Sequence, residues 1–369
     1  MVGWQIAVTV LAVLALATWA HVKFWVARLS RPVTYDEMHV IATPDGSHVE
    51  LRRLRPIAVA TPGELALPPV LLVHGIAMNH RNLDSDENLS LARRLRDDGR
   101  DVWLLTMRCG RNPARRADLP CQTFAALAAY DIPLAVAQIL ERTGQHSLDY
   151  VGFSMGGILL YATLGRTVPT KWVRRVVIMG SPGRIGKVVP GVGWLRRLPA
   201  WCFQWWLPLR PLSQVAAFAS EWLVTPIHSA TMQLRNCQPG YVRHSAIDLV
   251  QSVPGPLLRD LLHWAYGDGV IRLADGRDIL EGLHAVTQPV LLVAGTRDRL
   301  APPKSLQVVL AAWGANHLST IKSLLIVGKR SGFADDYGHA DLAIGKRAAL
   351  EIHVAIRDFL NKPVPQAEV

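Results

Sequence analysis

Ser154 stands in a short glycine-rich break inside an otherwise apolar segment. The run Gly152-Phe153-Ser154-Met155-Gly156 matches the pattern G-x-S-x-G, and it falls between a predicted strand and a predicted helix. In that setting the serine occupies a sharp strand-to-helix turn, where Gly152 and Gly156 allow neighbouring backbones to pass closely. The pattern predicts a nucleophilic serine. The alternative is a glycine-rich turn whose serine only caps the following helix.

A serine becomes a good nucleophile only with a general base and an acid that orients the base. Asp298 follows the buried strand PVLLVAG, and His339 lies in the loop between the strand LLIVG and the last helix. Serine, aspartate and histidine therefore occur in the chain order that nucleophile-elbow enzymes use, with both partners beyond strand ends. Asp298 has an alternative role as a helix cap or as a partner of Arg297 or Arg299.

The other acidic and histidine side chains of this half fit these roles less well. Three aspartates near His339 are predicted to cap or solvate its loop: Asp335, Asp336 and Asp341. The remaining histidines are expected to be surface or packed residues: His228, His244, His263, His284 and His353. The pattern therefore assigns the base to His339.

Chemistry at a serine also needs N–H donors directed at the oxyanion that develops on the substrate. One donor is expected from the backbone of Met155, directly after the serine. The other is expected from Ile76, in the loop after the strand PPVLLVHG. His74 ends that strand and precedes the serine, so it is predicted to be structural.

The elements around these residues predict a mainly parallel sheet with helices on both faces. Buried apolar runs such as PPVLLVHG and DVWLLTMR alternate with amphipathic helical segments, after an initial hairpin. The alternation stops after VRRVVIMGSP and resumes at PVLLVAG. We expect an α/β core over residues 33–182 and 288–361, a helical cap inserted at 183–287, and a disordered tail at 362–369.

The predicted cap is rich in tryptophan and shows no clear strand. Six tryptophans fall in it: Trp194, Trp201, Trp205, Trp206, Trp222 and Trp264. They favour either a lid with an apolar pocket or ordinary packing between the cap helices. The run WCFQWWLPL is apolar enough to enter a membrane surface, although a buried helix has a similar composition.

The amino-terminal segment 1–29 is almost wholly apolar up to Ala20, which is long enough to cross a bilayer. Lys23, Arg28 and Arg31 follow the apolar run, and no lysine or arginine precedes it. The charge pattern predicts a single-pass membrane anchor with the folded part on the cytoplasmic side. A cleaved signal peptide, with secretion of the rest, and a helix lying on the membrane are the alternatives.

The amino-acid composition excludes further classes of protein. The chain has 369 residues, half of them hydrophobic, and a net charge of +11. The basic residues are scattered and no nucleic-acid motif accompanies them, so nucleic-acid binding is not expected. Four cysteines lack any metal-ligand spacing: Cys109, Cys121, Cys202 and Cys237. Neither a metal nor an organic cofactor is predicted.

Several segments together resemble the acid-lipase group of α/β-hydrolases, which includes the gastric and lysosomal lipases. They are PPVLLVHGI, NLSLARRLRDDGRDVWLLTMRCGRN, AAYDIPLAVAQILERTGQHSLDYVGFSMGG, AGTRDRLAPP and YGHADLAIG. The resemblance implies an α/β-hydrolase fold with Ser154 as nucleophile, Asp298 as acid and His339 as base. It also implies that Ile76 and Met155 donate to the oxyanion, and it predicts cleavage of lipid-like carboxylic esters.

The chain departs from that group at three places. Phe153 and Met155 flank the serine where the group tends to have His and Gln, Cys109 interrupts an Arg-Gly-Asn stretch, and the predicted cap shows no match.

Two alternative functions remain open for the same fold. One is an acyltransferase that uses the same three residues, and the other is a non-catalytic membrane-anchored binding protein.

Overall fold

The computed structural model describes residues 2–57, 67–85, 88–111, 116–187, 189–222 and 224–362, and the statements below concern these residues. The predicted disordered tail lies outside them from residue 363 onward. In chain order the strands are β1 (Glu37–Ala42), β2 (His48–Leu54), β3 (Val70–Val73), β4 (Val102–Thr106), β5 (Leu148–Phe153), β6 (Val173–Met179), β7 (Trp206–Leu207), β8 (Val253–Pro254), β9 (Val290–Gly295) and β10 (Lys322–Val327).

Eight of these strands form one sheet in the order β1-β2-β4-β3-β5-β6-β9-β10. β2 is antiparallel to both of its neighbours, and the pairs from β4 to β10 are parallel. The register pairs Val73 of β3 with Gly152 of β5, and Gly295 of β9 with Val327 of β10. The carboxyl ends of the parallel strands therefore share one edge of the sheet. The mainly parallel α/β sheet predicted from the sequence is confirmed.

The helices are α1 (Val2–Leu29), α2 (Leu91–Asp97), α3 (Phe124–Ala126), α4 (Ile132–Thr143), α5 (Met155–Thr163), α6 (Leu209–Ala216), α7 (Pro226–Thr231), α8 (Tyr241–Asp248), α9 (Gly255–Ala265), α10 (Pro303–Ala312), α11 (Asp341–Ile344) and α12 (Ala348–Asn361). A π-helical turn, Leu127–Asp131, joins α3 to α4.

Alternating strand residues feed two apolar layers, one on each face of the sheet. Tyr150 of β5 lies in the layer covered by α4, α5 and α10. Its neighbour Val151 lies in the layer covered by α2 and α12. Helices on both faces explain why the central strands are continuous apolar runs instead of alternating ones.

The segment between β6 and β9 leaves the sheet, and we refer to it as the insertion. It contains α6 to α9, several 3₁₀ turns and the two-residue strands β7 and β8, which pair antiparallel. Two residues are too few to show a strand period, which is why the sequence gives no sign of them. Trp194, Trp201, Trp205 and Trp222 are exposed, so these four do not serve as core packing.

α1 has two parts that differ in their surroundings. Residues 3–20 are all exposed, whereas packing against the insertion begins at His21. By length and composition, α1 could cross a membrane, and so could Phe124–Thr143, although the latter is half buried inside the fold. An exposed apolar helix near the amino terminus is a possible anchor or a signal sequence.

Candidate active site

The turn between β5 and α5 holds Ser154 in a strained backbone conformation. Ser154 has φ +52° and ψ −115°, and it is one of two described non-glycine residues with positive φ. Its backbone N–H donates to the Met179 carbonyl of β6 at 2.8 Å, which fixes the turn to the neighbouring strand. A non-glycine residue in this region is uncommon, and such strain is found where a function requires it.

Gly152 and Gly156 are small because backbone atoms pass next to them. A Cβ on Gly152 would lie 2.7 Å from the Gly157 nitrogen. A Cβ on Gly156 would lie 2.5 Å from the Val73 carbonyl oxygen of β3. Both distances are far below van der Waals contact, so any side chain there would push α5 away from the sheet and move Ser154.

The structure brings Ser154, His339 and Asp298 into one hydrogen-bonded series, although they lie far apart in the chain. His339 Nε2 is 2.9 Å from Ser154 Oγ, and His339 Nδ1 is 2.8 Å from Asp298 Oδ2. All three side chains are buried. With the proton on Nδ1 held by the carboxylate, Nε2 is left to accept the serine hydroxyl proton.

Asp298 is held by its second oxygen. Oδ1 accepts the backbone N–H groups of Leu300 at 2.8 Å and Ala301 at 2.7 Å, so the carboxylate cannot rotate away from the imidazole. The partner of Oδ2 is therefore the His339 ring, and neither a helix N-terminus nor an arginine takes that place. The loop after β9 instead aims this oxygen at His339.

Gly180 contributes a feature that the sequence analysis missed. It follows β6 with φ +57°, and a Cβ there would lie 3.1 Å from His339 Nδ1 and 3.3 Å from Asp298 Oδ2. The site therefore needs a glycine next to the pair. The only signal in the sequence is a glycine directly after a buried strand, and many turns share that signal.

Ile76 and Met155 both lie beside the serine turn. Met155 begins α5 directly after Ser154, and a Cβ on Gly75, the residue before Ile76, would be 3.1 Å from Ser154 Cβ. Within the described residues, neither the Ile76 nor the Met155 amide donates a hydrogen bond. Two unpaired N–H groups next to a buried hydroxyl suit an oxygen of a bound substrate.

His74 is structural, in agreement with the expectation. Its Nε2 accepts the Met107 N–H at 3.1 Å, so its proton sits on Nδ1, which lies 2.7 Å from the Gly75 carbonyl. Burial lowers the pKa of His74 to about 4, so the ring stays neutral near pH 7. It therefore joins the end of β4 to the loop that carries Ile76.

The three aspartates near His339 behave differently from one another. Asp336 caps its loop by accepting from Thr296 Oγ1 and the Lys329 N–H, and Asp335 is partly exposed near Lys329, both as expected. Asp341 is fully buried, and burial raises the pKa of its carboxyl. Asp341 does cap the loop, as expected, because it accepts the Gly338 N–H, but it is buried and not solvated.

Asp341 joins the insertion to the loop of His339. Its carboxylate accepts the Gly338 N–H at 2.9 Å, Asn236 Nδ2 at 2.6 Å and the Gln233 N–H at 3.2 Å. The Ala340 N–H adds a 2.7 Å bond to the Thr231 carbonyl. The position of His339 thus depends on the insertion as well as on the sheet.

The cysteines and the departure at Cys109 affect packing and not the site. All four cysteines are free, and burial raises the pKa of Cys109 to about 12. The preceding Arg108 forms a buried pair with Asp131, Nε to Oδ1 at 2.7 Å, which joins the end of β4 to the π-helical turn. No group of three or more His, Cys, Asp or Glu side chains in the described ranges could hold a metal ion.

This geometry can be compared with known proteins. The sequence profile of the alpha/beta hydrolase fold family matches residues 68–339, which is most of the chain. The chain therefore belongs to the α/β-hydrolase family. It is distantly homologous to gastric, lysosomal acid and member K and M lipases, so the resemblance stated above is confirmed.

The individual likenesses differ in extent. Human gastric triacylglycerol lipase is 34% identical over 152 residues, which cover 37% of this chain and 38% of that protein. Human lipase member K is 24% identical over 363 residues, covering 86% of this chain and 85% of that protein. Two of the curated relatives match this chain at 34% identity. In each case the match covers only about a third of the relative's length, 31% of one and 38% of the other.

A solved structure of a thermophilic esterase from Thermogutta terrifontis superimposes with a TM-score of 0.52 at 17% identity. The superposition covers 88% of this chain and 98% of that one. At this identity the likeness shows the fold. Together the comparisons place the chain among α/β-hydrolases related to lipases and esterases.

Proposed function

We propose that this α/β-hydrolase cleaves carboxylic esters that have an apolar, lipid-like acyl part. The observation that carries the proposal is the buried series from Ser154 through His339 to Asp298, with distances of 2.9 and 2.8 Å. Serine at its ordinary acidity is a poor nucleophile, and this arrangement supplies the base and the orienting carboxylate that it lacks.

In the proposed reaction, Ser154 Oγ attacks the ester carbonyl while His339 Nε2 takes its proton. The Ile76 and Met155 N–H groups donate to the carbonyl oxygen as it becomes negative. His339 then gives the proton to the departing alcohol, which leaves an acyl group on Ser154. Water, deprotonated by His339, attacks the acyl carbon, and the same proton returns to Ser154 as the acid leaves.

The insertion is proposed to form the cap over this site. Support comes from its bonds to both sides of the serine: Thr231 to the loop of His339, and the Gln251 N–H to the Ala77 carbonyl at 2.8 Å, beside Ile76. The apolar acyl preference is supported by the homology to lipases, one of which is named for triacylglycerol.

We also propose that α1 anchors the chain in a membrane with the folded part on the cytoplasmic side. The exposed apolar residues 3–20 and the basic residues that follow them support this orientation. A reporter that works only in the cytoplasm should be active when it is fused to the carboxyl end. If a reporter that works only outside the cytoplasm is active at that end instead, the proposed orientation is wrong.

The test of the activity is a fluorophosphonate probe combined with hydrolysis of p-nitrophenyl esters of increasing chain length. Ser154→Ala should abolish labelling and lower kcat/KM by at least about 10³-fold, because it removes the attacking atom. Ser323→Ala, at an exposed position on β10, is the matched control and should behave as wild type. Equal labelling of wild type and Ser154→Ala would refute the proposal. A sharp optimum at the acetyl ester would refute its lipid-like part.

A further inference from the structure

The two parts of α1 mark where a membrane would end. Residues 3–20 are exposed without interruption, and at about 1.5 Å per residue they measure about 27 Å, close to the hydrocarbon thickness of a bilayer. From His21 onward one stripe of the helix packs on the insertion, at spacings of four residues: His21, Trp25 and Leu29. The insertion therefore begins at the level where the apolar run stops.

The contacts at this level come from α6 and the turn after it. His21 Nε2 lies 3.0 Å from the Val215 carbonyl oxygen. The Phe218 ring stacks on Trp25, with centroids 5.9 Å apart, and meets His21 edge-on at 5.3 Å. His21 and Trp25 are thus within about one and a half helical turns of the end of the exposed run.

The same part of the insertion exposes apolar side chains to solvent. We call it the α6 surface, and it consists of Leu212, Val215, Phe218 and Trp222. Leu212 is 58% exposed and Trp222 is 72% exposed, and no residue of α6 is buried. The Arg243 guanidinium lies 4.6 Å from the centroid of the Trp222 ring. A tryptophan beside an arginine is typical of the boundary between lipid headgroups and acyl chains.

We propose that the α6 surface is a second membrane contact, which holds the insertion against the bilayer that α1 enters. Its continuity with the end of the exposed apolar run points to lipid as the occupant, since α1 brings that surface to the membrane level. The exposed Lys23 lies within one helical turn of the end of the apolar run and would attract anionic headgroups. A protein partner would have to share this boundary with the lipid around α1.

The contact has a consequence for the substrate, and this part rests on the proposed function. Ser30 Oγ and the Arg31 N–H, just after α1, donate to the Asp248 carboxylate at 2.8 and 2.7 Å. Asn79 Nδ2 donates to the Asp248 carbonyl at 2.9 Å, in the loop that carries Ile76. A short series of bonded residues therefore joins the end of α1 to the loop that carries Ile76. With the α6 surface held at the bilayer, we expect esters drawn from the membrane to be preferred over dissolved ones.

The depth of the α6 surface can be measured on the full chain in vesicles of phosphatidylcholine and phosphatidylglycerol. The partly exposed Cys121 and Cys202 are first replaced by serine, and a nitrobenzoxadiazole label is attached at Leu212→Cys. Leu350→Cys on α12 is the matched control, because Leu350 is also a helical leucine and is 67% exposed. We expect blue-shifted emission and quenching by doxyl lipid at position 212, and neither effect at position 350.

Three results would overturn the proposal. The label at 212 could remain as water-exposed as the label at 350, both labels could be quenched equally, or quenching at 212 could vary with the protein-to-lipid ratio. The last result would identify a second copy of the chain as the occupant. None of these readouts depends on catalysis, so a failure of the proposed esterase activity would leave the measurement intact.

A second measurement connects the surface to the substrate. Leu212→Asp should lower the ratio of hydrolysis of a long-chain ester in vesicles to that of p-nitrophenyl acetate in water by about tenfold, because a charge opposes burial in lipid. Leu350→Asp should leave that ratio unchanged. An unchanged ratio for Leu212→Asp would show that the α6 surface does not deliver the substrate.

Discussion

The sheet and the insertion hold their residues by different means. Strands β3 to β6 and β9 are almost entirely buried, and glycines allow the Ser154 turn to lie against β3. The insertion leaves several tryptophans in solvent and is fixed by polar bonds to distant loops, such as Asn236 to Asp341. Apolar packing therefore fixes the strands and the Ser154 turn, whereas polar bonds from the insertion help to hold the loop of His339. The rest of the insertion can present apolar surface outward.

The largest expected effect on stability that separates the core around the sheet from the insertion comes from truncating one tryptophan in each. Trp313→Ala, after α10, should lower the free energy of unfolding by about 4 kcal/mol, because the side chain is fully buried. Its Nε1 also donates to the Gln288 carbonyl at 2.8 Å. Trp201→Ala in the insertion, where the side chain is 75% exposed, should change that free energy by less than about 0.5 kcal/mol. Denaturant titration of both variants in one detergent measures the difference, and similar losses would contradict the contrast.

The response to acid should also arise in the core. Burial lowers the pKa of His353 on α12 to about 3, from an ordinary value near 6.5. Below pH 6.5 the unfolded chain binds a proton that the folded chain does not, so stability falls as the pH decreases. Between pH 7.5 and 5.0 this histidine accounts for about 2 kcal/mol of that loss.

The variant His353→Leu should therefore reduce the difference in unfolding free energy between pH 7.5 and pH 5.0 by about 2 kcal/mol. Comparing the two pH values cancels any effect of the substitution on packing. His263→Leu, at an exposed position on α9 in the insertion, is the control and should have a much smaller effect. An equal effect of both substitutions would place the acid sensitivity outside the core.

A smaller effect is expected at Gly180, at the edge of the sheet. Gly180→Ala and Gly46→Ala both place a side chain at positive φ, so each should cost about 1 kcal/mol of stability. Only Gly180 has His339 and Asp298 as neighbours, whereas a Cβ on Gly46 meets nothing within 4 Å. Ester hydrolysis should therefore fall about tenfold in Gly180→Ala alone. Equal activities would mean that Gly180 only forms a turn.

Much of the sheet could be predicted because its signals are local. Continuous apolar runs mark strands that are buried on both faces, and a glycine such as Gly144, with φ +67°, marks the end of a helix, here α4. That Ser154, Asp298 and His339 come together could be predicted because each follows its own strand, and parallel strands bring such positions to one edge.

The junctions of the insertion could not be predicted, because they join residues far apart in the chain. Asn236 and Asp341 are 105 residues apart, and His244 bonds the Leu29 carbonyl across 215 residues. Neither the hydrophobic periodicity nor the turn residues of the sequence indicate such a contact. A buried aspartate such as Asp341 has the same sequence surroundings as a solvated one, and only its three donors distinguish it.

The bonds of Asp341 also limit how the insertion can move. Opening the insertion as one rigid flap would break the bonds from Gln233 and Asn236 and would pull on the loop that holds His339. These bonds therefore tie the segment around Gln233 and Asn236 to the loop that holds His339. If the insertion moves to admit a substrate, we expect the movement in parts that are not bonded to this loop, so that the base stays in register with Ser154.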